Sequence, residues 1–163
     1  MSKRISVYGL ISGFIIIITS ILSIELELAS VWLGFLVMFI ALGSIFVAVK
    51  QYRDEVLGGV IGFYCGLFLG LGISLVASLV YVLVWELYLA ITDYSFIEIY
   101  TLSIIEAAKA QGVSGAELAV TIEEMANMRK TYSNPLMRLP MTFVEIFPVG
   151  VLVSLVTAFA LKK

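Results

Sequence analysis

The chain contains no histidine and a single cysteine, Cys65. Without histidine there can be no histidine-ligated haem, no zinc site of mixed His and Cys ligands, and no triad or dyad with an imidazole base. One cysteine cannot form an intrachain disulfide, so cysteine usage carries no information about the redox compartment. Function must rest on carboxylates, hydroxyls, lysines, arginines and helix packing, and no cofactor or metal is expected.

Charged residues are scarce as well. They make up 13% of the 163 residues, whereas 61% are hydrophobic and the mean hydropathy is +1.09. A soluble domain carries roughly 25% charged residues. Because a small core cannot hold this much apolar surface, much of it must face lipid. The net charge of −2 does not favour a nucleic acid partner.

Long apolar runs predict an all-α polytopic membrane protein with four transmembrane helices. About twenty helical residues cross a hydrocarbon core of ~30 Å. The first span is interpreted as an uncleaved signal anchor, because it exceeds an h-region and Glu27 occupies a position where cleavage requires a small residue. The run 56–92 is too long for one upright span, and two short spans are the alternative, but no charged turn divides it. We place the spans at residues 5–24, 29–49, 67–91 and 141–161.

Two prolines bear on the last span. Pro140 suits its first helical turn, whereas Pro148 lies inside it and predicts a kink.

The only long polar connection, residues 93–138, predicts an amphipathic helical hairpin at about 95–132. Gly112 suits the end of its first helix, and Ser114 with Glu117 has capping-box spacing for its second. We expect the hairpin to lie on or near the membrane surface. The alternative is a solvated connector with frayed helices.

Lys and Arg residues predict the orientation. Six of the ten lie in three short segments: the N-terminus, residues 50–55 and the C-terminus. The other four are spread over the long connection. This distribution predicts that both termini lie in the cytoplasm and that the hairpin lies outside.

The most regular motif is a series of small residues at a spacing of four, which places its members on one helical face. Small residues allow helices in lipid to approach closely, so we interpret the series as a helix-packing surface. A dimer interface and a substrate groove are the alternatives. The members are Gly58, Gly62, Gly66, Gly70, Ser74 and Ser78.

Two acidic residues, Glu86 and Glu145, fall within the predicted spans. Each lies about six residues, roughly 9 Å, from the outer end of its helix. An ionised carboxylate costs about 2.5–3.5 kcal/mol at the bilayer centre, so such residues often mark ion or proton paths. Here they are candidates for a shared, coupled proton or small-cation site. The alternative is that both reach towards the headgroups or pair with Arg138.

The order of short motifs resembles bacterial inner-membrane proteins of domain-of-unknown-function family forty-one ninety-nine. After the N-terminal anchor come the segment Lys50 to Glu55 and the pair Gly58-Gly59, and a glycine-containing span with terminal lysines ends the chain. Members often have polar or basic residues after the Gly-Gly pair, where this chain is apolar. The resemblance implies the fold and topology and no mechanism. The other motifs that carry this resemblance are Gly112 to Glu117, Ile122 to Met125 and Ser133 to Pro135.

Three functional hypotheses remain. The first is a non-enzymatic structural, assembly or envelope-interaction role, with the lipid bilayer and a second copy or another membrane protein as partners. The second is a small transporter or channel subunit using the two carboxylates, although four helices without an internal repeat suit that poorly. The third is a membrane-embedded enzyme, for which no paired Asp or Ser/Lys arrangement is present.

Overall fold

The computed structural model describes residues 1–26 and 31–163. The described residues form seven helices and no strand, which agrees with the all-α prediction. The helices are α1 (Ser2–Glu25), α2 (Val31–Leu42), α3 (Ser44–Glu55), α4 (Phe63–Ile91), α5 (Ser95–Ala110), α6 (Gly115–Tyr132) and α7 (Pro135–Leu161).

Four stretches are long and apolar enough to cross a membrane, as predicted. They are Ser2–Glu25, Trp32–Glu55, Phe63–Ile91 and Pro135–Leu161. The second combines α2 and α3, which meet at Gly43. Glu27 and the start of the predicted second span at residues 29–30 lie outside the described residues.

The last two spans begin earlier than the sequence predicted. α4 starts at Phe63 instead of residue 67, and α7 starts at Pro135 instead of residue 141. Asn134 explains the second difference, because its side-chain oxygen accepts a hydrogen bond from the Leu136 amide at 3.0 Å. Proline is well suited to the first helical position, where no intrahelical donor is needed. Pro140 therefore lies inside α7 and not in its first turn, while a kink at Pro148 stays a prediction.

The chain divides into two compact units. Unit 1 contains Met1–Val84 and Thr142–Lys163, so it includes most of α4 and α7. Within it α1 packs against α2 and α3. Ser12 of α1 donates a hydrogen bond to the Ala41 carbonyl at 3.0 Å and lies 2.6 Å from the Ser44 hydroxyl. The largest fully buried side chains of unit 1 are apolar: Ile16, Ile17, Leu42, Ile45, Ile61, Leu69, Ile73 and Ile146.

The outer surface of α4 is formed by large apolar side chains. From Leu75 to Ile91 they recur every fourth residue, and each is exposed: Leu75, Leu79, Leu83, Leu87 and Ile91. Residues with this spacing share a helical face. A continuous exposed apolar stripe on a 29-residue helix is a surface suited to lipid.

Unit 2, Trp85–Met141, contains the end of α4, the pair α5 and α6, and the start of α7. α5 and α6 pack against each other, and Gly112 adopts a φ of +86° where the chain leaves α5. Ser114 is the N-cap of α6, as predicted, but its side chain forms no capping hydrogen bond. The next residue, Gly115, has a φ of +61°. The first turn therefore departs from the geometry in which an N-cap oxygen reaches the following amides.

Candidate functional site

A buried arginine organises unit 2. Arg138 has 2% of its surface exposed, and its guanidinium forms a bidentate ion pair with Glu86. Nε and Nη2 lie 2.7 Å from the two carboxylate oxygens. Nη1 donates to the Tyr132 carbonyl at 2.8 Å. Bidentate pairing suits the planar guanidinium and fixes both partners. The pair thus joins the end of α4 to the start of α7.

Aromatic rings surround this pair. The Arg138 guanidinium lies 5.0 Å from the ring centroid of Tyr94 and 5.7 Å from that of Tyr132, within the range of cation–π attraction. The Trp85 indole donates a hydrogen bond to the Tyr132 hydroxyl at 2.6 Å. Phe96 packs edge-to-face on Trp85, with ring centroids 4.9 Å apart. Tyr94 has a φ of +56°, a conformation uncommon for a residue other than glycine. This conformation turns the chain sharply between the end of α4 and the start of α5.

An open cavity of 680 Å³ lies beside the Arg138 side chain. Arg129, Lys130 and Arg138 provide three cationic groups in its wall, and Glu98 provides one carboxylate. Pro135 marks the start of α7 there. The remaining lining residues are Tyr94, Ile97, Tyr132 and Ser133.

The Arg129 side chain is fixed from the α5 side. Its Nε donates to the Thr101 hydroxyl at 2.6 Å, and Nη2 donates to the Glu98 carbonyl at 3.3 Å. Thr101 is fully buried. The Glu98 carboxylate lies 3.8 Å from Nη1 and has 67% of its side chain exposed, so this ion pair is weak. Lys130 is exposed and forms no ion pair with any described residue.

The two predicted carboxylates have different surroundings. Glu86 belongs to unit 2 and is paired with Arg138. This is the pairing that the sequence analysis kept as the alternative. Glu145 belongs to unit 1, is exposed on α7, and has the Tyr81 hydroxyl as a hydrogen-bonding partner. A shared proton or cation site for the two stays a prediction.

Part of the predicted small-residue series lies on α4 and faces α7. The Ser74 and Ser154 hydroxyls are 3.2 Å apart. A Cβ added to Gly70 would lie 2.8 Å from Cβ of Ser154, and one added to Gly150 would lie 2.6 Å from Cβ of Ser74. The backbones therefore approach too closely at these points for a larger residue. Ser78 is also fully buried and donates to the Ser74 carbonyl.

Gly58 and Gly62 do not belong to this helical face. Both precede α4, which starts at Phe63. Gly58 has a φ of +68°, and an added Cβ would meet no atom within 4 Å at either glycine. Both glycines keep the spacing of four in the sequence, but the chain is not helical there, so they share no helical face with the later members of the series. Gly58 instead provides a left-handed conformation in the turn after α3.

Among residues 1–26 and 31–163 there is no group of three or more His, Cys, Asp or Glu side chains that could hold a metal ion. The chemistry present in unit 2 is therefore that of an ion pair, tyrosine rings and a cavity with a basic wall. The sequence analysis did not find this cavity. The available signal was the adjacent pair Arg129-Lys130 followed by Pro135 and Arg138, which places basic residues close to the start of an apolar helix.

These features define the class of protein: a helical multi-pass membrane protein with a small polar unit between its third and fourth candidate spans. A family model described as protein of unknown function, DUF4199, matches residues 7–163. The chain therefore belongs to this family, as its motifs indicated. No curated protein and no solved structure matches the chain.

Proposed function

We propose that this protein resides in the bacterial inner membrane, has both termini in the cytoplasm, and presents α5 and α6 on the outer side as a contact surface. Its role is non-enzymatic and consists of assembly or envelope interaction. The partner is another membrane protein or a second copy of the chain. The Lys and Arg distribution supports the orientation.

One observation carries the proposal. Unit 2 is held by its own buried ion pair and aromatic contacts, yet it leaves apolar side chains exposed on both helices. Ile99 of α5 is 65% exposed, and Val120 of α6 is 55% exposed. Exposed apolar side chains on a compact unit suit a protein–protein interface better than a solvated connector.

Photo-crosslinking in cells tests this role. A photoreactive amino acid replaces Val120, and a matched variant carries it at Phe159, which is 66% exposed on α7. We expect a discrete protein adduct of constant mass at position 120 and only lipid adducts at position 159. Lipid or no adduct at both positions would contradict the contact surface.

A small transporter or channel subunit is the second candidate, favoured by Glu145. An exposed carboxylate on a spanning helix is costly in lipid, and covering it within an oligomer would remove the cost. This function requires that Glu145→Gln abolish a pH-dependent flux measured in proteoliposomes. Equal flux in Glu145→Gln and wild type would exclude it.

A further inference from the structure

The cavity in unit 2 has the size and composition of a ligand site. Its 680 Å³ lies within the range of about 300–1,000 Å³ that is typical of small-molecule pockets. Cationic and tyrosine side chains form its polar wall together with Glu98 and Ser133, and Ile97 and Pro135 form its apolar wall. Such a lining is suited to a ligand that has a charged end and an apolar end.

The charge of the wall favours an anion. The Arg138 charge is neutralised by Glu86, whereas Arg129 and Lys130 share one carboxylate among the described residues of the cavity wall, that of the exposed Glu98. The cavity therefore keeps a positive charge in a chain whose net charge is −2. Guanidinium and ammonium groups bind phosphate oxygens through charge-assisted hydrogen bonds.

The first turn of α7, which contributes Pro135 and Arg138 to the cavity wall, also carries two exposed apolar side chains that indicate where the ligand comes from. Leu136 is 80% exposed and Met137 is 55% exposed, and both directly follow Pro135 of the cavity wall. Tyr94 lies three residues after the end of α4, so the cavity is formed where two candidate spans end. At that depth a bilayer presents phosphate headgroups, with acyl chains directly below.

We propose that this cavity binds the phosphate of an anionic phospholipid such as phosphatidylglycerol. Lys130 and Arg129 contact the phosphate, Tyr94 and Tyr132 flank the headgroup, and Leu136 and Met137 contact the acyl chains. The assignment requires that α4 and α7 lie in a bilayer. It does not depend on which side of the membrane α5 and α6 occupy, so it can fail or hold independently of the proposed contact role.

Fluorescence of Trp85 provides the readout, because its indole is hydrogen-bonded to Tyr132 in the cavity wall. The second tryptophan, Trp32, is 84% exposed and is replaced by Trp32→Phe. Full-length protein in a zwitterionic detergent is titrated with dihexanoyl phosphatidylglycerol, with dihexanoyl phosphatidylcholine, and with inorganic phosphate. We expect saturable binding of phosphatidylglycerol and no saturable binding of phosphatidylcholine.

Lysine variants locate the site. Lys130→Ala should weaken phosphatidylglycerol binding about fivefold, since one Lys near an anionic surface contributes about 1 kcal/mol. Lys130→Arg should restore it. Lys109→Ala is the control, because Lys109 is an exposed lysine of the last turn of α5 outside the cavity wall. The three variants should have equal thermal unfolding midpoints, since Lys109 and Lys130 are both exposed.

Each of the following outcomes would overturn the assignment of the cavity to an anionic phospholipid. Equal binding of the two lipids would show that the cavity recognises only acyl chains. Unchanged binding in Lys130→Ala, or equal losses in Lys130→Ala and Lys109→Ala, would show that no localised phosphate site exists. Displacement of phosphatidylglycerol by equimolar inorganic phosphate would assign the site to a soluble phosphate in place of a lipid.

Discussion

Arg138 is held by more interactions than any other charged side chain described above. Its side chain is 3% exposed, and that of Glu86 is 24% exposed, so both charges have lost most of their contact with solvent. Desolvation makes such a pair costly to form, but removing one partner is more costly because it leaves the other charge buried alone. The pair therefore fixes the geometry of unit 2 more than it adds net stability.

This residue-scale argument predicts the outcome of a double-mutant cycle. Arg138→Met should lower the free energy of unfolding by about 3 kcal/mol, because the Glu86 carboxylate stays behind unpaired. The double variant Arg138→Met, Glu86→Leu should regain most of that loss. Denaturant unfolding in detergent, followed by tryptophan fluorescence, measures both values.

Glu98→Gln is the control for this cycle. Its carboxylate is 67% exposed and lies 3.8 Å from the Arg129 guanidinium, so the substitution should cost about 0–1 kcal/mol. Equal small losses for Arg138→Met and Glu98→Gln would show that the Arg138 pair is no more important than a surface pair.

At this scale the sequence identified Glu86 because an acidic residue in an apolar run is conspicuous. It also named pairing with Arg138 as one of the alternatives kept for Glu86. It could not choose among them, since the two residues are 52 positions apart and only the folded chain brings them together. The cavity was missed for the same reason, because its wall combines residues 94–98 with residues 129–138.

At the scale of elements, the approach of α4 to α7 changes within one helical turn. A Cβ at Gly66 would lie 3.5 Å from Cα of Ala158, which is an ordinary van der Waals contact. One turn later, a Cβ at Gly70 would lie 2.7 Å from Oγ of Ser154 and 3.1 Å from Cγ2 of Ile45. Two glycines of the same series, one helical turn apart, thus have different steric surroundings.

Matched alanine substitutions should separate them. Gly70→Ala should destabilise the protein by about 1–3 kcal/mol through overpacking. Gly66→Ala should be neutral or stabilise it by about 0.5–1 kcal/mol, because alanine is the better helix former. Thermal unfolding in detergent distinguishes the two, and equal midpoints would mean that α4 and α7 do not approach closely at Gly70.

The elements themselves could be predicted from apolar runs and turn residues, whereas several of their boundaries could not. The prediction started the last span at Met141 because Pro140 suits a first helical turn, but α7 begins at Pro135. The helix therefore includes Arg138, the one charged residue between Pro135 and Met141. The series of small residues was extended to Gly58 for a similar reason, because spacing alone does not reveal where a helix begins.

For the whole molecule, the distribution of Lys and Arg predicts the orientation in the membrane. In a Cys65→Ala background, Ser114→Cys should react with a membrane-impermeant maleimide from the outer side of intact spheroplasts. Lys163→Cys should react only after the membrane is opened. Ser114 suits this test because it is exposed and forms no capping hydrogen bond, so its replacement should not disturb α6.

The reverse labelling pattern would place α5 and α6 in the cytoplasm. That result would refute the proposed envelope contact and leave the lipid-binding assignment untouched.

The serines between α4 and α7 also bear on how the protein is made. Ser74 and Ser154 are 80 residues apart, so at about 5–20 residues per second the ribosome needs roughly 4–16 s to deliver the second after the first. Ser74 also donates to the Gly70 carbonyl, and Ser154 to the Gly150 carbonyl. Each helix therefore satisfies its own hydroxyl before the partner exists. α4 can therefore leave the translocon with the Ser74 hydroxyl already hydrogen-bonded, and this serine can associate with α7 once the nascent chain supplies Ser154.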